Sequence, residues 1–148
     1  MPTFYNDVDS KLESIIKALL TAQAATSGSN IASVDIHTGL STSDIELDLI
    51  FGLVESAEEN PSGTGNWICQ TTISVYTSAH DTGLATHRAR VSEVRDLFMS
   101  DCLATTITDN NTETLTCLAV QNYQVAQRIE DNYFIGEISF DAVCYGSE

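Results

Sequence analysis

The sequence predicts an α+β fold: a mainly antiparallel sheet built from two long hairpins, with two helices packed on one face. Three observations carry that expectation. A β-type run from Ile68 to Thr77 stops at the polar break Ser78–Gly83, and a helical pattern of Leu84, Val91, Val94 and Phe98 begins at once. Asn60-Pro61-Ser62-Gly63-Thr64-Gly65-Asn66 joins Pro with two Gly between two strand-like runs, which marks a hairpin loop. The C-terminal run alternates, with Phe134, Ile138, Phe140, Ala142 and Cys144 on one face and Ile135, Glu137, Ser139, Asp141 and Val143 on the other.

The first helix rests on Val8, Leu12, Ile15, Ile16, Leu19 and Leu20, which recur at helical spacing and form one apolar stripe. Ser10 and Glu13 have capping-box spacing, and Asn6 with Asp9 offers an earlier start. The helix is expected to fade through Ala24 and Ala25 and to end near Ser27-Gly28, where glycine accepts the left-handed turn. Ser33 to His37 alternates like a short strand, and Gly39 to Asp44 is rich in turn residues. A strand follows from about Glu46 to Ala57, with Gly52 read as a bend or bulge. Its hairpin partner places Trp67, Cys69, Thr71, Ile73 and Val75 on one face.

Asp81 or Thr82 suits the N-cap of the second helix. On the helical wheel Leu84, His87, Val91, Val94 and Phe98 share a face, while Arg90, Glu93 and Asp96 point away. After a polar turn, Thr108 to Glu113, Leu115 to Ile129 reads as a long strand with imperfect alternation. Glu130-Asp131-Asn132 turns it into the last strand. Thr-rich strands suit this scheme, because β-branched side chains fit the pleat.

Composition narrows the function. A chain of 148 residues that is 43% apolar forms one domain with a real core. The formal net charge is −15, from 21 acidic and 6 basic residues, which opposes phosphate-backbone binding and repels DNA. The N-terminus lacks the basic and apolar regions of a signal peptide, and no apolar run is long enough to span a bilayer. Cys69, Cys102, Cys117 and Cys144 are widely separated and read as buried free thiols in a reducing cytoplasm.

Candidate chemistry is sparse. His37, His80 and His87 have no Cys at ligand-like spacing, so no metal site is expected, and His87 reads as a partly buried packing residue. No Gly-x-Ser-x-Gly elbow is present, and the glycines after Pro61 lack the Lys that completes a P-loop. Glu55, Glu58 and Glu59 cluster before the loop as solvated charges, since an acid–base pair needs a pocket that drives two pKa values apart. Arg88, Arg90, Arg95 and Arg128 include most of the scarce positive charge. They suit salt bridges between subunits or local pairs such as Arg90 with Glu93. No catalytic residue and no cofactor is expected.

The order of elements resembles the tail-terminator and tail-completion proteins of long-tailed bacteriophages. The residues that carry the resemblance are the helix Val8 to Ala25, the hairpin around Asn60 to Asn66, the passage Ile73 to Phe98 and the terminal strand Phe134 to Tyr145. The likeness covers nearly all of residues 1–148 as one domain, and it lies in element order, not in an exact motif. It implies a structural virion protein: a homo-oligomeric ring, usually a hexamer, that terminates the tail tube and joins it to the head or neck. The implied partners are other copies of the chain, the tail-tube protein and the connector or neck proteins, with assembly in the host cytoplasm and DNA passing through an acidic lumen. Glu55, Glu58, Glu59, Pro61, Arg88, Arg90 and Arg128 are the candidate intersubunit or lumen contacts. A head–tail connector or a tail-tube subunit would look much the same. Two other classes stay open: a small acidic inhibitor or DNA mimic, and an enzyme or small-ligand domain with a deep pocket.

Overall fold

The computed structural model describes residues 8–32, 34–38, 48–59, 66–79, 83–99, 104, 106–107, 115–130 and 132–146. The elements run α1 (Val8–Ala24), β1 (Asp35–Thr38), β2 (Leu49–Glu59), β3 (Trp67–Ser78), α2 (Leu84–Phe98), β4 (Leu115–Glu130) and β5 (Tyr133–Gly146). They build one α+β layer, a five-stranded sheet in the order β1-β2-β3-β5-β4. Every pairing is antiparallel except β1 with β2. The hairpins β2–β3 and β4–β5 meet along β3 and β5, so the chain between β3 and β4, including α2, carries β4 past β5 to the far edge.

Both helices lie on the same face. Paired residues of neighbouring strands share a face, and so do residues two apart along a strand. Ile36, Ile50, Val75 and Gly136 therefore form one row, and Gly52, Ile73, Ile138 and Val125 the row beside it. The stripe expected for α1 is the buried one: Val8, Leu12, Ile15, Ile16, Leu19 and Leu20. From α2, Val91, Val94 and Phe98 enter the same core, where the Phe98 ring stacks on Phe140 at 6.2 Å.

Each helix seats a β-branched side chain against a strand glycine. A Cβ on Gly52 would stand 2.7 Å from Ile16 Cγ2, and one on Gly136 would stand 2.5 Å from Val91 Cγ2. Gly52 is thus required for close helix approach and not for a bend; the register stays regular through it and slips only between Val54 and Ser56. At that irregularity the Val54 N–H donates to the Glu13 carboxylate of α1 at 2.8 Å. Burial raises the pKa of Glu13, and the Val54 hydrogen bond partly offsets it.

Glu13 therefore serves the sheet, not a capping box with Ser10, whose N–H takes Asp9 Oδ1. Asn6 lies outside the described residues. The N-cap of α2 is Gly83, with no side-chain cap, and Asp81 and Thr82 lie outside the described residues. The first strand runs Asp35–Thr38, slightly later than its alternation suggested. Cys69, Cys117 and Cys144 are buried free thiols that meet on the helix face. Hydrogen bonding to Cys117 and Cys69, together with burial, pushes the Cys144 thiol up, while its bond to Cys144 draws Cys117 down. Cys102 lies outside the described residues.

The opposite face carries an apolar patch at one end. Leu49, Phe51 and Ile135 are buried there, and the Phe51, Tyr76 and Tyr133 rings follow one another at 5.8 and 6.4 Å. Towards the other end it turns polar, with Thr72 Oγ1 hydrogen-bonded to Ser139 Oγ at 3.2 Å.

Candidate functional site

The structure sorts the seven predicted contact residues into separate places. Glu55 is exposed on β2, and with Gln70, Thr72, Asn122, Ser139 and Asp141 it edges a shallow polar hollow of about 250 Å³. Glu58 and Glu59 stand on the same strand end; their side chains, like all of Pro61, lie outside the described residues. Arg88 is exposed on α2 and has no ion pair among the described residues. The Arg128 side chain stands on the helix-free face, because Arg128 pairs with Ile135, and it binds Glu130 and Glu137 there. Those two carboxylates raise its pKa further above its ordinary value.

Arg90 corrects its sequence reading. It does not point away from the sheet but is 7% exposed, with Nη1 2.6 Å from Asp48 Oδ2 and 3.4 Å from Thr77 Oγ1. Asp48 Oδ1 also accepts the Ser78 N–H at 2.7 Å, so one carboxylate ties α2 to the start of β2 and the end of β3. The expected Arg90–Glu93 pair is absent. Glu93 instead accepts Ser29 Oγ at 2.5 Å and the Asn30 backbone N–H at 3.0 Å, which joins α2 to the chain after α1. Burial alone would raise the pKa of Glu93, but these bonds and one from Gln23 outweigh it and lower the value.

His87 belongs to the same network. It is 1% exposed, its Nδ1 is 2.8 Å from Thr77 Oγ1, and its ring lies 5.5 Å from that of Phe134. Arg90 also donates to Thr77 Oγ1, so this one hydroxyl links the imidazole of His87 to the guanidinium of Arg90. Burial, then the neighbouring Arg90 charge, lowers the pKa of His87, so the ring is neutral near pH 7. Its Nε2 is buried and has no hydrogen-bond partner among the described residues.

Above this network a groove of about 440 Å³ opens between α2 and the end of β4, lined by Leu84, His87, Arg88 and Phe134 and by Gln127, Arg128 and Ile129 of the strand. It exists because α2 seats on Gly136 of β5, one strand short of the edge. The helix-face residues towards the end of β4 therefore lack a helix above them: Val125 is 40% exposed and Ile129 69%. Sequence reading missed the groove, although an apolar Ile129 in a run of polar residues was its signal. Among the described residues no group of three or more His, Cys, Asp or Glu is placed to hold a metal ion, and no helix is long and apolar enough to cross a membrane.

No family model matches the chain, and no curated protein matches it in sequence. Its fold is nonetheless shared with a solved one. A chain from the virion of a native gene transfer agent (GTA) particle superposes with a TM-score of 0.67. The two are 16% identical, and the match covers 94% of this chain and 98% of that one.

Proposed function

We propose that this chain is a structural virion protein whose copies form a closed ring at the head-proximal end of a phage-like tail. The ring ends growth of the tube and offers the surface to which the head docks. The observation that carries this reading is the fold shared, nearly end to end, with a component of a gene transfer agent virion.

Two features of the chain, its open sheet edge and its charge, support a ring. The sheet is open, with β4 a 16-residue edge strand, and open edges are where further chains add. Cyclic symmetry makes each contact heterologous, so two different surfaces of one subunit must be complementary. A net charge of −15 per copy gives a lumen that like charges keep from adhering to DNA. In this role the chain needs no cofactor and performs no catalysis; its partners are its own copies, the tube subunit and the connector.

Deletion of the gene followed by electron microscopy of the lysate tests the proposal. The expected result is filled heads beside unjoined tails of uncontrolled length. Tails of normal length that fail to join would assign the chain to the connector, and absence of tails would assign it to the tube. Normal, infectious particles lacking the chain would overturn the virion role.

A further inference from the structure

We infer that the groove between α2 and β4 is the acceptor half of the contact between copies, and that it receives the acidic end of β2 from the next subunit. This rests on the ring reading and names its interface.

Copies that carry −15 repel one another, so a contact between them gains by setting a cation against carboxylates. Cations are scarce. Arg90, Arg95 and Arg128 are engaged by carboxylates of their own chain. Arg88 is exposed and has no ion pair among the described residues, and it stands beside Leu84, Ile129 and Phe134 in the groove. Ile129, at 69% exposed, is the most open of the large apolar side chains among the described residues. His87 in the same lining has a buried Nε2 with no hydrogen-bond partner among the described residues, which a polar atom from outside would satisfy. The groove thus asks for a segment with both apolar and acidic character.

The strand end Val54-Glu55-Ser56-Ala57-Glu58-Glu59 has that character. Its pairing with Trp67 to Thr71 puts it at one end of the sheet, whereas the groove adjoins Phe134, opposite Thr77 at the other end. The separation is roughly 20–30 Å at about 3.3 Å per residue. One subunit therefore cannot satisfy its own groove, but a head-to-tail neighbour can. The outer edge of β4, regular from Gln124 to Glu130, borders the groove and has no strand beside it among the described residues.

Sedimentation velocity over a concentration series tests this with the full chain, with circular dichroism urea melts confirming that each variant is folded. The wild type is expected to self-associate. Ile129→Asp should weaken association about tenfold or more, since it removes one large apolar side chain from the contact. Arg88→Glu should weaken it several-fold, and combining Arg88→Glu with Glu55→Lys, Glu58→Lys and Glu59→Lys should restore it. Association unchanged by both single substitutions would overturn this interface while leaving the ring standing. Weakening without recovery in the charge-swapped variant would overturn the β2 end as occupant. A wild type that stays monomeric at every concentration would overturn the inference, and the imaging of gene-deletion lysates would then judge the ring separately.

Discussion

Gly136→Ala tests the helix seat at its tightest point. The new methyl would stand 2.5 Å from Val91 Cγ2, 3.4 Å from Cγ1 and 3.5 Å from Cβ, where relaxed carbon contacts are about 3.5–4.0 Å. Val91 cannot turn aside: it is β-branched, which leaves one strongly preferred rotamer in a helix, and it is 3% exposed. Relief must come from lifting α2 or bending β5, at the usual overpacking cost of about 1–3 kcal/mol. Alanine regains roughly 0.5–1 kcal/mol of backbone entropy relative to glycine, so the net loss should be about 1–2 kcal/mol. Gly136 does not have a left-handed φ, so the penalty is steric and local. In a Val91→Ala background the methyl has room, and the same change should become neutral or mildly stabilising. The coupling between the two sites should then be about 1–3 kcal/mol. Urea melts of the four proteins, followed by circular dichroism, give this number directly. Independent effects, with a coupling near zero, would refute the claim that Val91 sits in the space a side chain at residue 136 would need.

Two further outcomes are expected. Phe98→Ala should cost about 3–5 kcal/mol in urea melts, because its ring is fully buried against Phe140; a loss within about 1 kcal/mol would show that the aromatic stack does not support the core. His87 has a folded pKa below its unfolded value, so the unfolded chain binds the extra proton first. The stability that follows from a neutral His87 is fully present above about pH 6.5 and is lost as pH falls below it towards the folded value. His87→Gln should flatten that part of a stability-against-pH curve, and an unchanged slope would refute the assignment.

The helices and both hairpins were legible in the sequence because their apolar residues keep a single period. β4 was legible as a long strand, Leu115 to Ile129 against the observed Leu115–Glu130, but which face each of its residues takes was not, and its register explains why. One extra residue enters between Cys117 and Ala119 and another between Gln121 and Gln124, and each shifts the alternation by one. Asn122, at φ 59°, sits in the second. Read with both shifts, Cys117, Val120, Val125 and Ile129 fall on the helix face together. The continuous run Leu49-Ile50-Phe51 looked ambiguous because both faces of β2 are buried there, at 6%, 0% and 5% exposure. Arg90 was misplaced by its charge. It lies three residues after His87, on the neighbouring helix face, but its partner Asp48 is 42 residues away, and no local pattern shows such a pair. The groove depends on which strand α2 covers, a matter of sheet order that periodicity does not encode.

The two glycine notches have a mechanical consequence. A helix resting on a smooth layer of leucines can slide along a sheet by exchanging one set of contacts for an equivalent one. Here Ile16 and Val91 act as pegs in slots only one residue wide, flanked along their strands by Ile50 and Val54 and by Phe134 and Ile138. Force applied along the strands meets a steric stop before either helix can travel, so load passes from helix to sheet without shear between the layers.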